Sequence, residues 1–166
     1  LEHYTIYPGF KNNLSESPIA ISVFVDRGGK RPVGTGRCSV ILGTVYREAF
    51  GANMAEMVVK KLTSFANTLG DDTVYIPHPR EQYHSAITKH ILKSEKIAEE
   101  AIIDLFKKYA EIDLYGFCSS AQINLASVPN LRNYFFSVSG EKQFSIETQA
   151  IAVNMGISGN INLDRY

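Results

Sequence analysis

Cysteine is scarce in this chain: Cys38 and Cys118 are the only two in 166 residues. They lie far apart and have no Cys-x-x-Cys spacing, which excludes a zinc knuckle or a disulfide framework and leaves reduced, buried thiols as the expectation. No apolar run approaches the roughly twenty residues a bilayer-spanning helix needs, and the start lacks the charged-then-apolar pattern of a secretion signal. A soluble protein in a reducing compartment is expected. Net charge is missing as well, since 17 Lys and Arg balance 17 Asp and Glu. With no local basic block either, nothing in the charge pattern attracts nucleic acid or an anionic membrane. His3, His84 and His90 share no ligand spacing, so no metal is expected.

Three nucleotide or hydrolase signatures are absent. There is no Walker loop and no Gly-x-Gly-x-x-Gly turn between a strand and a helix; the run Gly34-Thr35-Gly36-Arg37-Cys38-Ser39 precedes a strand, which is the wrong order. There is no Gly-x-Ser-x-Gly elbow, and Ser119-Ser120 lacks flanking glycines, which excludes a serine hydrolase of that type.

What is present is an ordinary globular composition, 45% hydrophobic and 20% charged, enough for one packed domain. The chain opens at Leu1-Glu2, which reads as a cloning remnant or the cut edge of a longer protein. Residues 1–18 lack a sustained period and read as an irregular lead-in or linker, with one domain over 19–166. Strands are expected at Ile19–Val25, Cys38–Leu42, Thr73–Ile76, Leu114–Phe117 and Tyr134–Val138. The glycine-rich stretch from Asp26 to Gly36 reads as a turn or mobile loop. Helices are expected from about Asn53, with Val58, Leu62, Phe65 and Leu69 on one face and Gly70 as the stop, from Ser94 or Glu95 to Tyr109, and from Phe144 to Met155 before Gly156. Alternating strands and helices predict an α/β fold, a Rossmann-like parallel sheet with helices on both faces and ligands at the carboxyl ends of its strands.

Three loops fall at such ends. His78 stands between Pro77 and Pro79, which restrict the backbone around it. It either meets a phosphate, as donor or proton source, or is a turn histidine bonded to backbone. Arg80 and Glu81 either pair with each other or support His78. Ser119-Ser120 either binds phosphate through hydroxyls and N–H groups at a helix N-terminus or caps that helix without a ligand. Gly43-Thr44 either lines a cleft or makes a turn. Glu100, early in the second helix, either accepts bonds from ribose hydroxyls or is a solvated acid.

Two of these segments, in this order, resemble the donor-binding half of bacterial sialyltransferases, the group that includes lipooligosaccharide sialyltransferases and capsule polysialyltransferases. Tyr75-Ile76-Pro77-His78-Pro79-Arg80-Glu81, preceded by Val40-Ile41-Leu42-Gly43-Thr44, is similar to the family's His-Pro motif. Tyr115-Gly116-Phe117-Cys118-Ser119-Ser120-Ala121 is similar to its paired Ser/Thr motif, and Ile97-Ala98-Glu99-Glu100-Ala101-Ile102 to the segment whose glutamate holds ribose, with Glu99 as the other register. The resemblance covers about residues 38–140. It implies one half of a two-domain glycosyltransferase of the paired-Rossmann (GT-B) type that uses CMP-sialic acid, inverting and without metal or cofactor. By that likeness His78 contacts the CMP phosphate and assists departure of CMP, with Pro79 and Arg80 beside it. Ser119 and Ser120 hold the same phosphate, Glu100 binds the ribose, and Gly43-Thr44 line the cleft. The implied partners are the nucleotide-sugar donor and a glycan acceptor bound through an N-terminal domain. The implied location is cytoplasmic, extending to peripheral association at the inner face of the bacterial inner membrane. The family's acidic motif, source of the general base, finds only a poor match at Asp26-Arg27-Gly28. A non-catalytic nucleotide- or sugar-binding module without an acceptor half is the alternative, and a glycosyltransferase using another nucleotide sugar a weaker one.

Overall fold

The computed structural model describes residues 4–5, 19–20, 34–81, 87–88, 90–139 and 158–166. Two short strands, β1 (Tyr4–Thr5) and β2 (Ile19–Ala20), pair in parallel with each other. The expected lead-in thus contains a two-residue strand, and the remainder of the strand expected over Ile19–Val25 lies outside the described residues. So do Asp26, Arg27 and Gly28 and the helix expected over Phe144–Met155.

The body is a six-stranded sheet of β3 (Arg37–Leu42), β4 (Thr73–Ile76), β5 (His90–Ile91), β6 (Glu111–Gly116), β7 (Leu131–Ser137) and β8 (Gly159–Asn162). Its spatial order is β5-β4-β3-β6-β7-β8, and every pairing is parallel. Counted along the chain, the six strands lie 3-2-1-4-5-6, the order of a doubly wound dinucleotide fold, with the reversal between β3 and β6. A central parallel strand is covered on both faces, which is why Cys38 to Leu42 is buried without interruption.

Alternation along the strands divides the core in two. Ile41, Tyr75, Tyr115 and Phe136 face α2 (Ala52–Ala66), which presents Val58, Leu62 and Phe65 to them. Cys38, Val40, Leu42, Ile76, Ile112 and Leu114 face α3 (Ala98–Leu105) and α4 (Ser120–Asn124), through Ile102, Ala121 and Leu125. Truncating the fully buried Leu62 to alanine on this scale costs about 3 kcal/mol. On the α2 face Phe65 meets Tyr115 and Phe136 edge-on at 5.2 and 5.3 Å, an arrangement aromatic quadrupoles favour.

The structure differs from the sequence reading at several element ends. A separate helix α1 (Tyr46–Phe50) precedes α2, split from it by Gly51 at φ 78°, a left-handed value that suits glycine. Helix α2 stops at Ala66, and Gly70, at φ 85°, turns the chain toward β4. Helix α3 starts at Ala98 rather than at Ser94, whose hydroxyl accepts instead from the Lys96 N–H at 3.0 Å in a local turn. Strand β6 begins three residues early. Its charged end is held by neighbours: Arg37 pairs with Glu111, and Arg132 grips the buried Asp113 through two bonds of 2.6 and 2.7 Å. That bidentate geometry is the strong form of such a pair.

Candidate functional site

The register sets the site. Leu42 pairs with Ile76, and Ile41 with both Tyr75 and Tyr115, so β4, β3 and β6 end at the same level. Their following residues, Pro77, Gly43 and Phe117, therefore emerge side by side at the carboxyl edge, next to the point where strand order reverses. All three sequence-predicted loops lie there. Helix α3 follows β5 and also starts from this edge, bringing Glu99 and Glu100 to it.

The His78 loop is built around a buried carboxylate. Glu81 accepts the Tyr75 hydroxyl at 2.5 Å and the His78 backbone N–H at 3.2 Å through the same oxygen, Oε2, and its own N–H bonds to the His78 carbonyl at 2.9 Å. The Tyr46 hydroxyl lies 3.1 Å from that of Tyr75. Because Tyr75 spends its proton on Glu81, Tyr46 is the donor in that pair. Burial is the first cause raising both phenols above their ordinary range, so each is a neutral hydrogen-bonding group. Gly43 fits into this cluster: a Cβ there would come within 3.0 Å of Glu81 Oε2, the Tyr75 hydroxyl and the His78 nitrogen.

His78 itself is half-buried. Its Nδ1 accepts the Arg80 N–H at 3.2 Å, which leaves Nε2 as the nitrogen carrying the proton in the neutral ring. The Arg80 guanidinium, exposed, bonds to Glu48 of α1 at 3.0 Å. Of the two roles open to Arg80 and Glu81 in the sequence, Glu81 supports His78, and Arg80 pairs with α1 rather than with Glu81.

The Ser119-Ser120 loop is organised by neutral amides. Ser119 caps α4: its hydroxyl accepts the Gln122 N–H at 3.3 Å, and the Gln122 Oε1 accepts the Ser119 N–H at 3.2 Å, a reciprocal capping box. Gln122 is fully buried and donates through Nε2 to Asn133 Oδ1 at 2.9 Å and the Tyr134 carbonyl at 2.8 Å, while Asn133 donates back to the Gln122 carbonyl at 2.6 Å. Cys118, just before the cap, has φ 55°, an uncommon value for a side chain with a Cβ. Ser120 is exposed on the first turn.

The family profile of glycosyltransferase family 52 matches residues 1–139. The chain belongs to glycosyltransferase family 52. A CMP-N-acetylneuraminate:beta-galactoside alpha-2,3-sialyltransferase of Pasteurella multocida is 34% identical to it over 126 residues, covering 74% of this chain and 37% of that enzyme. The chain thus spans well under half the length of that relative. The family match starts at residue 1, upstream of the stretch that carries the two motifs, and so takes in the lead-in as well.

Of the two glutamates that open α3 in this family 52 chain, Glu99 bonds to a neighbouring helix. Its Oε1 accepts the Asn124 side-chain amide of α4 at 2.8 Å, whereas Glu100 is exposed. Sequence reasoning passed over Tyr46, Gly116, Gln122 and Asn133. Ser119-x-x-Gln122 has capping-box spacing, a signal that was legible. Gly116 was not: its role is to leave room for the Gln122 amide, whose oxygen would stand 2.7 Å from a Cβ. Cys38 is sealed in the α3 face and its thiol is pushed up to about 12, burial being the first cause. Burial also raises Cys118. Among the described residues no three His, Cys, Asp or Glu gather as a metal-binding group, and no helix is long and apolar enough to cross a membrane.

Proposed function

We propose that this chain is the donor-binding part of a sialyltransferase that transfers sialic acid from CMP-sialic acid to a glycan. The observation that carries the reading is the convergence of Gly43-Thr44, His78 and Ser119-Ser120 on the carboxyl ends of three adjacent parallel strands at the order reversal, in a chain akin to a sialyltransferase. In an open parallel sheet that crevice is where nucleotides sit.

The CMP phosphate lies between the His78 and Ser119-Ser120 loops. His78 Nε2–H donates to a phosphate oxygen as the bond to the sugar breaks, offsetting the charge that develops on departing CMP. The Ser119 O–H, whose oxygen already accepts from Gln122, remains free in valence to donate to the same phosphate, and Ser120 adds its hydroxyl and N–H. Arg80 adds positive charge beside the loop, and Pro79 stiffens it. These groups neutralise the leaving group without a metal, and the transfer inverts the sugar centre. Glu99 or Glu100 receives the ribose hydroxyls. Glu99 is the better held, through Asn124. The carboxylate that takes the acceptor's proton comes from an acceptor-binding half of a GT-B pair. The full enzyme acts in the cytoplasm or against the inner membrane, on capsule or lipooligosaccharide acceptors.

Calorimetric titration of the 166-residue chain with CMP tests the donor site. Binding is expected, weakened about ten-fold or more by His78→Ala and by Ser119→Ala. Failure of CMP, CDP and UMP all to bind would overturn the reading, and a preference for UMP over CMP would move it to another nucleotide sugar. An intact site on a protein with no transferase activity in its full length would make it a binding module.

A further inference from the structure

We propose that Glu81 is the positioning residue of this site: its carboxylate fixes the His78 loop and the Gly43–Tyr46 segment in one register, so that the two act as a single rigid cradle. The proposal rests on the donor-site reading for what the cradle holds, and on side-chain geometry for the cradle itself.

Three donors feed one buried hydrogen-bonded chain. Tyr46 O–H donates to the Tyr75 oxygen, Tyr75 O–H donates to Glu81 Oε2, and His78 N–H donates to that same oxygen. The four residues come from three pieces of the edge: Tyr46 opens α1, Tyr75 lies in β4, and His78 and Glu81 flank the turn after it. Tyr46 and Tyr75 are fully buried, and Glu81 is buried with them. Truncating the carboxylate takes the acceptor away from the buried Tyr75 hydroxyl and from the His78 N–H, so nothing built into the loop then fixes its position. The space is closed from the other side by Gly43, whose lack of a side chain lets Glu81 Oε2 and the His78 nitrogen approach the strand end. The Gly43 N–H, donating to the Ile76 carbonyl at 2.8 Å, ties that same point back to β4. A carboxylate oxygen that accepts two bonds at once specifies direction as well as distance. It therefore determines where the His78 backbone, and with it the ring, stands relative to Gly43-Thr44. Glu81 itself need touch no ligand, since it acts through His78.

The test measures CMP affinity and backbone amide resonances of the 166-residue chain. Glu81→Ala is expected to weaken CMP binding about ten-fold and, without nucleotide, to displace the amide resonances of His78 and Gly43 while leaving those of Ser119 and Gln122 in place. Glu81→Gln, which keeps an oxygen able to accept both donors, should recover most of the affinity, and Tyr75→Phe should show part of the loss. Unmoved His78 and Gly43 resonances with unchanged affinity would overturn the proposal, as would equal displacement at Ser119 and Gln122, the mark of a general loosening. If Glu81→Ala does not fold, Tyr75→Phe decides on the same readouts. If the parent chain binds no CMP, the donor-site reading fails separately, and the resonances still decide whether Glu81 sets the loop.

Discussion

The two loops that flank β3 at the carboxyl edge of the sheet are stiffened by opposite chemistries. After β4, the chain turns through Pro77-His78-Pro79 and is anchored from within by an ionisable carboxylate and two buried phenols. After β6, the turn passes through Cys118 at positive φ and is anchored by uncharged amides, with Gln122 and Asn133 exchanging bonds. In the first case the anchor belongs mainly to the loop and its own strand. In the second it comes from the next helix and the next strand, so the Ser119 loop is held by the layers around it. A charged anchor makes stronger bonds but is costly to leave unpaired. Neutral amides are weaker one by one and indifferent to pH. Under the proposed function the His78 side would offer an N–H donor to the phosphate and the Ser119 side fixed dipoles.

The largest effect is expected at Gly43. Gly43→Ala drives a Cβ against the His78 backbone and the Tyr75–Glu81 bond, and backbone cannot move aside cheaply. A loss of about 3 kcal/mol in denaturant unfolding is expected, together with loss of CMP binding. If the substitution costs less than the next one, the His78 loop is the more adaptable of the two. Next comes Gln122→Ala, which removes the cap partner of Ser119 and leaves Asn133 and the Tyr134 carbonyl short of a donor. A loss of about 2 kcal/mol is expected, with a smaller effect on CMP affinity than Gly43→Ala. Equal effects on affinity would mean that the two anchors serve the site alike.

The smallest effect sharpens the contrast by pH. Burial raises the folded-state pKa of Tyr46 and Tyr75 above the ordinary value of 10, and that of Tyr115 to about 12. Folded molecules therefore hold protons that unfolded ones have released. The stability contributed by these groups is fully present below about pH 10 and declines as pH rises above it. Cys38, raised from 9 to about 12, acts in the same direction from about pH 9. Urea midpoints should fall gradually over this window, with tyrosinate absorbance from the buried phenols appearing only on unfolding. Tyr75→Phe should flatten the decline and Gln122→Ala should leave its slope unchanged. A steeper decline in the Gln122 variant would show that the amide anchor is coupled to the phenols.

How far the sequence could be read differs along the chain for physical reasons. The strands Cys38–Leu42 and Thr73–Ile76 and the face of α2 were legible because burial on both sides of a parallel sheet, or along one helical stripe, leaves a local pattern. The start of β6 was not, because Glu111 and Asp113 look like solvent residues until Arg37 and Arg132 arrive from neighbouring strands. Two-residue β5 and edge strand β8 carry too little apolar pattern to announce themselves. Helix α3 is shorter than its apolar spacing predicts, because that spacing continues through the turn to Tyr109, which packs into the core without being helical.

The sequence by itself determined the α/β class, the two motif loops with their order, and the family likeness, since periodicity, proline and histidine are properties of neighbouring residues. Only the tertiary structure decided that β3 and β6 are adjacent, that Gly43 is a glycine because Glu81 and Tyr75 fill the space beside it, that Glu81 rather than Arg80 supports His78, and that Gln122 and Asn133 brace Ser119. Each of these depends on groups brought within hydrogen-bond reach by strand register, and a buried polar atom finds its partner through the fold rather than along the chain.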